Sequence, residues 1–429
     1  MNKLIKHYQF FLFVTVLCLF FMTKTAHSLT LYEAILLAKE TLPSYKASII
    51  SVNSTDALYK ASLSPYLPTL DLSTTHSRIY ASDEEFDTRS YDATLSYTLF
   101  DGGNRRANRN IARLNLNISK EDLRENLLEL EYNVKVSFYT VISLKETLEL
   151  RKIQLQDAQK DYEVAEGRYN LGVAKLSDIL QASVRLEQAK LNVIQSEGDL
   201  KKALSDLNSL IGRPLNNQYD IEGLLDLDII LPDRDRISHI ALLRPDIRKA
   251  EDSLKIAEYT KSLTASALFP TLSAQASYTK FGGGISGSTF PEEKIASLTA
   301  TWNIFELGKF FNLKSSRLEE DIALENLSEL KRQVLLDIYK AYEDFITADH
   351  TITVAQQRLK NAEHNYSQAF GEYRVGKGDI LSLVQAESDL ADSREQLISS
   401  KLDLLLSKTL LENIAGVEKL ESLITEKEE

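Results

Sequence analysis

Residues 29 to 416 of this chain are two copies of one unit, and a repeat of that size constrains the fold more than any local signal. Thr41-Leu42-Pro43 is matched by Leu243-Arg244-Pro245, and Leu67-Pro68-Thr69-Leu70 by Phe269-Pro270-Thr271-Leu272, both 202 residues on. Beyond Leu99-Phe100 and Ile304-Phe305 the offset settles at 204. It pairs Gly167-Arg168-Tyr169 with Gly371-Glu372-Tyr373, Gly172 with Gly376, and Gly212 with Gly416. The offset changes between the Pro-Thr-Leu and the Phe, so loops belong there.

Heptads fill most of each copy. Ile179, Leu186, Val193, Leu200 and Leu207 form a large column, with Ala182, Ala189, Ser196, Ala203 and Leu210 as a smaller one beside it. The second copy has Leu383, Leu390, Leu397, Leu404 and Leu411 beside Ala386, Ser393, Ser400, Ser407 and Ile414. A period of 3.5 sustained this long predicts left-handed supercoiling, and a small column lets a neighbouring backbone approach. A third column runs from Leu127 to Tyr162 and Tyr169, matched by one from Ile338 to Tyr366 and Tyr373. All eight prolines lie outside 103 to 213 and 292 to 429, which leaves both stretches free for long helices. The spacing predicts one helix from about Gly103 to Tyr169, roughly 100 Å long. Shorter partners are predicted at about 44 to 64, 176 to 211, 246 to 266 and 380 to 415.

Between the helices the period falls to two. Leu70, Leu72 and Thr74 alternate with Asp71, Ser73 and Thr75, and Tyr91, Ala93, Leu95 and Tyr97 return after the polar tip Ser82 to Glu85. The second hairpin spans about 271 to 305, around a tip at Gly282 to Ser288. Strands of about ten residues with one apolar face suit an outer-membrane barrel. Four strands cannot close one, and open edges in lipid cost several kcal/mol per unpaired backbone group. Protomers must therefore share the barrel. Two give eight strands, filled by their own side chains, whereas three give twelve and leave a conduit.

Lys3 and Lys6, the apolar run Phe10 to Met22 and Ala26-His27-Ser28 read as a secretory signal, residues 1–28. Repeat 1 follows at 29–213, a linker or equatorial region at 214–245, repeat 2 at 246–416 and an acidic tail at 417–429. The linker and tail are expected to form a belt around the helices. The lone cysteine, Cys18, lies in the leader, so neither a disulfide framework nor a cysteine zinc site is expected. A formal charge of −12 argues against nucleic acid as a partner and for a lumen that favours cations. His76, His239, His350 and His364 are scattered, and no spacing marks a catalytic triad, a metal site or a cofactor. The Gly-rich stretch at 282 to 287 precedes Pro291 and a strand rather than the helix a phosphate loop needs. No enzyme is expected.

The duplicated unit, Leu-Phe-Asp-Gly-Gly at Leu99 to Gly103, Leu-Gly-Val-Ala-Lys-Leu-Ser-Asp at Leu171 to Asp178 and Arg244-Pro245-Asp246 together resemble the outer-membrane efflux proteins of TolC type. The resemblance covers nearly all of the chain after the leader. It implies a mainly α fold with a membrane β-barrel portion: a homotrimer whose twelve-stranded outer-membrane barrel continues as a periplasmic coiled-coil tunnel. It also implies a passive exit channel of a tripartite efflux pump or type I secretion system. The partners would be a periplasmic adaptor, an inner-membrane transporter and outer-membrane lipid.

In the family, polar links near the helix turns close the periplasmic end. By position, Tyr169 and Tyr373 match the tyrosine before each turn, and Asp178 matches an aspartate of the closed state. Gly378 stands where the best-known member has an arginine, and Ser382 and Gln385 stand at its two lumen aspartates. Lys377 and Asp379, or Lys175, are the candidates to rebuild the lock. Gly172 and Gly376, with Gly378, are the candidate adaptor-docking turns. The alternative reading is an exported coiled-coil structural protein or adhesin with soluble hairpins.

Overall fold

The computed structural model describes residues 28–81, 84–223, 225, 231–283 and 292–420. Residues 1–27, which hold the expected leader, both expected hairpin tips, part of the expected linker and the tail from 421 lie outside the described residues. The elements run α1 (Leu31–Thr41), α2 (Pro43–Ala61), a 3-10 turn (Ser64–Tyr66), β1 (Thr69–Ala81), β2 (Glu84–Phe100), α3 (Asn104–Asn170) and α4 (Leu176–Leu210). They continue with α5 (Arg234–Ala241), α6 (Pro245–Ser266), β3 (Thr271–Gly283), β4 (Glu293–Thr301), α7 (Leu307–Arg374) and α8 (Ile380–Ala415). The long helix expected from about Gly103 to Tyr169 is α3, Asn104–Asn170, and the second repeat has a matching one in α7. Two short ones, α1 and α5, were not anticipated. The second hairpin leaves its strand at Thr301 instead of continuing to 305, because β3 begins at Thr271 and its ladder with β4 ends there.

Contacts gather the chain into two compact units, each taking stretches from both repeats. One contains residues up to Lys46, 127–237 and 337 onwards; the other contains 47–126 and 238–336.

The first unit is a helical core. Val134, Phe138 and Val141 of α3 pack with Leu207 of α4, Leu405 of α8, and Ala34 and Ala38 of α1. Each large side chain buried here contributes about 1.5–3 kcal/mol. Thr30 caps α1 with its hydroxyl, and Glu33 reaches back to the Thr30 N–H, satisfying two donors that the first turn would otherwise orphan. The described linker and tail residues pack here as well. Leu29 bridges Ile221, and Arg234 stacks on Tyr339 with its guanidinium carbon 5.0 Å from the ring centre. Lys135 donates both to Glu412 at 2.7 Å and to the carbonyl of Glu418 at 2.7 Å. The small columns are buried as the spacing requires, at Ala182, Ala189, Ser196 and Ala203 and at Ala386, Ser393 and Ser400.

The second unit carries the sheet, an antiparallel meander in the order β1-β2-β3-β4. Leu70 faces Leu95 and Leu95 faces Ala276, so the apolar positions of all strands share one face. The Asp-Gly-Gly corner turns β2 into α3. Asp101 accepts from the N–H of Gly103 at 3.1 Å and of Arg105 at 2.9 Å, capping the helix. A side chain at Gly102 would meet the Ser266 carbonyl at 2.6 Å, which only glycine avoids. Arg105 pairs with Asp101 at 3.0 Å and donates to the carbonyls of Pro65, Thr98 and Leu99, tying the strand end to the helix start. Among the described residues, no helix is long and apolar enough to cross a membrane.

Candidate functional site

The transferred gate residues all fall at the two helix-to-helix turns, α3 to α4 and α7 to α8. Both turns close with the same backbone pattern. The Gly172 N–H donates to Tyr169 and that of Val173 to Arg168; the Gly376 N–H donates to Tyr373 and that of Lys377 to Glu372. Each glycine sits in the left-handed region, φ 73° and 80°, which costs any other residue about 1–2 kcal/mol.

The two turns differ in their side chains. Tyr169 is 41 % exposed, whereas Tyr373 is 1 % exposed beneath Arg168. The Arg168 guanidinium lies 4.5 Å from the centre of the Tyr373 ring and donates to the Tyr373 carbonyl, at the negative end of α7. Burial, then the nearby Asp178 carboxylate, pushes the Tyr373 hydroxyl above its ordinary range. Asp178 stands in the first turn of α4, within 3.2 Å of the Ser177 hydroxyl. The structure therefore brings Tyr373, Asp178 and Arg168 together.

The other candidates do not join them. Asp379 caps α8, accepting from the Ser382 N–H at 2.7 Å, and this hydrogen bond holds its carboxyl below the usual range. Gln385 donates to Asp389 at 3.0 Å along its own helix. Lys377 and Lys175 are exposed and form no ion pair among the described residues. Gly378 lies against its own chain; a side chain there would be 3.1 Å from the Glu372 Cβ and the Tyr373 N. A side chain at this position would therefore press on α7. By contrast, Gly172 has open space around it, flanked by exposed Leu171 and Val173.

Two features escaped the sequence. Arg168 belongs to the Gly-Arg-Tyr repeat, and its mismatch with Glu372 in the second copy is the one signal the sequence carries for it. The second is a buried polar cluster about two helical turns before the first helix turn. Asp161 is 5 % exposed in the seam between buried Ala158 and Ala165. Tyr366 donates to its Oδ1 at 3.4 Å, and its Oδ2 has no partner. Arg185 meets Glu387 at 3.5 Å, and Arg394 meets Asp157 at 3.7 Å. Burial, followed by the charges of Glu387 and Asp157, pushes the Asp161 carboxyl up to about 7. Burial first, then Asp161, raises the Tyr366 hydroxyl, and Glu387 is raised chiefly by burial. Among the described residues, no three His, Cys, Asp or Glu side chains gather as a metal site.

The duplicated helices and four-stranded sheet match the outer membrane efflux protein family over residues 34–213 and 237–417. The chain belongs to that family. This outer membrane efflux protein is thus an exit channel placed in the outer membrane. It is 25 % identical over 338 residues to the probable outer membrane lipoprotein SilC of Salmonella typhimurium, covering 76 % of this chain and 71 % of the relative. It is 24 % identical over 331 residues to the pyoverdine export outer membrane protein OpmQ of Pseudomonas aeruginosa, covering 75 % and 68 %. Among solved structures, the channel-forming CusC superposes with a TM-score of 0.83 at 19 % identity, over 90 % of this chain and 92 % of that one. The family placement supports transport over the scaffold or adhesin reading.

Proposed function

We propose that the protein works as a homotrimer whose pooled strands form a twelve-stranded barrel. In this reading it conducts cargo passively from a periplasmic adaptor and an inner-membrane transporter to the exterior. The observation that carries this is the sheet itself: four strands with one apolar face, and outer strands β1 and β4 that pair on one side only among the described residues. In lipid each unpaired group costs several kcal/mol, so those edges need neighbours. Exposed Phe310, Phe311, Leu318 and Ile322 on α7 give the helices an apolar surface for the same neighbours.

The closed end is held within each protomer by Arg168 on Tyr373, with Asp178 beside them. Arg168 takes the place of the family's missing arginine from the opposite repeat. Gly172 and the apolar residues around it receive the adaptor. The protein catalyses no reaction; its partners provide the energy.

The latch is tested in planar bilayers. The Arg168→Ala channel should show about tenfold higher resting conductance, the effect of losing roughly 1.4 kcal/mol of closed-state preference. Arg168→Lys should be intermediate, because an ammonium cannot both stack on the ring and reach the carbonyl. Conductance equal to wild type would remove Arg168 from the latch.

A further inference from the structure

The sheet's apolar face carries fixed cations that a conduit does not require. Register places Leu70, Leu72, Leu95, Ala276 and Leu298 on this face, with Ser73, Thr94, Ser277 and Thr299 on the other. Arg78, Arg89, Lys280 and Lys294 share the apolar face, one from each strand. Lysine or arginine facing lipid costs about 2–4 kcal/mol at the bilayer midplane but only about 0–1 near the interface. Four of them at scattered depths would penalise insertion, whereas four at a single interfacial depth would not.

They lie at one depth. Arg78 pairs with Asp87, and Arg89 is two residues further along β2. Arg89 pairs with Gly282, and Lys280 is two residues before it. Tyr278, two residues before that, pairs with Lys294. The row steps two residues per strand toward the helices, and the inner strand ends step in the same direction: β1 begins at Thr69 opposite Ser96, four residues before β2 ends at Phe100. In a barrel tilted by about 35–45°, a level line shifts about one to one and a half residues along each ~4.8 Å strand spacing, so the row drifts by only about 4–8 Å of depth across the four strands. The row therefore runs nearly parallel to the membrane plane, at the end of the sheet away from the helices. From Lys294 to Trp302, just past β4, is roughly 26 Å of strand, or about 19 Å of depth, comparable to the ~25 Å apolar band of such barrels. That places the row among the outer-leaflet headgroups.

The neighbouring groups leave the row cationic. Asp87 lies between His76 at 3.2 Å and Arg78 at 3.7 Å, and Glu292 accepts from the Tyr278 hydroxyl. Register adds Glu85 one rung further out, opposite Tyr80. The Arg89 Nε donates to His76 at 3.3 Å, and Lys294 lies 5.7 Å from the centre of the Tyr278 ring. Lys280 has no ion pair among the described residues. Four cations against Asp87, Glu85 and Glu292 leave this part of the face at about +1, within a chain of formal charge −12.

The geometry points to a binding site for phosphorylated outer-leaflet lipid, in which Arg78, Arg89, Lys280 and Lys294 hold the headgroup phosphates and Tyr91, Tyr278 and Leu72 contact the apolar part below. Three copies would ring the barrel. The inference rests on the barrel reading and adds a ligand class to it.

Purified full-length protein in detergent is titrated with lipid A and with its dephosphorylated form, bound lipid being read by native mass spectrometry. Wild type should bind lipid A about tenfold more tightly than the dephosphorylated lipid, with the difference shrinking as salt rises from about 0.05 to 0.5 M. Lys280→Gln/Lys294→Gln should lose about fivefold, and Lys280→Arg/Lys294→Arg should retain wild-type affinity. Equal wild-type binding of the two lipids overturns the site without any variant, as does a glutamine pair that binds like wild type. Full competition by free inorganic phosphate would assign the cations to a soluble anion and overturn the lipid. Failure to float with liposomes would instead strike at the barrel, and that is read separately.

Discussion

Asp161 shows what a single side chain can impose on a coiled coil. It occupies a seam position that Ala158 and Ala165 fill on either side, so its carboxyl is dehydrated and faces Tyr366 on α7, Glu387 on α8 and Arg185 on α4. Asp157 on its own helix is held by Arg394 of α8. With its carboxyl raised to about 7, the folded protein holds a proton that the unfolded chain releases near pH 4. The stability from this group is complete below about pH 4 and is lost as pH climbs through about 7. Asp161→Asn should therefore be more stable than wild type by about 4 kcal/mol at pH 8 and gain almost nothing at pH 4. Urea midpoints at the two pH values check it, and an equal gain at both would contradict the assignment. Arg168 marks the limit of legibility at this scale. Its acceptor is a backbone carbonyl 205 residues away, and a carbonyl leaves no trace in residue identity. Asp178 and Tyr373 are reached in the sequence only through the family resemblance, by their positions at the two turns.

Among the elements, the paired turns follow from two glycines at positive φ, and the open space around Gly172 makes a direct prediction. Gly172→Trp costs about 1–2 kcal/mol of backbone strain, and its Cβ would meet nothing within 4 Å, so folding and oligomer yield should hold. Export in cells should fall about tenfold if the bulky ring displaces roughly 1.4 kcal/mol of adaptor binding. Normal export at normal outer-membrane abundance would argue against docking at this turn. The same scale shows which elements the sequence announces. Over five heptads the Ala182 and Leu383 columns leave no second register, and the alternation from Leu70 to Tyr97 fixes both strands and the face they share. Helix α1, with Ala34 and Ala38 as its buried contacts, and α5, with Ile237 and Ala241, are too short for a period to emerge. The stretch from Trp302 to Phe305 still alternates, but it has no β3 residues left to pair with. Pairing, not pattern, ends that strand.

For the whole molecule, the central claim is that identical chains complete one another. The expected leader, the duplicated hairpins and the long heptads point from sequence to an exported membrane channel, and the family match agrees with an outer-membrane efflux protein. Stoichiometry is less legible, because strand count fixes only that the sheet is incomplete. The order β1-β2-β3-β4 makes it testable. Within one chain β1 and β4 are separated by three strand spacings, about 14 Å, twice the ~7 Å limit for a disulfide. The single native cysteine is Cys18, so in a Cys18→Ser background the introduced cysteines report alone. Thr75→Cys on β1 combined in turn with Ile295→Cys, Ser297→Cys or Thr299→Cys on β4 samples the registers between neighbours. After oxidation of outer membranes, at least one pair should give a covalent ladder that stops at three protomers and collapses on reduction. A ladder stopping at two, or monomer throughout in every register, would contradict the shared barrel.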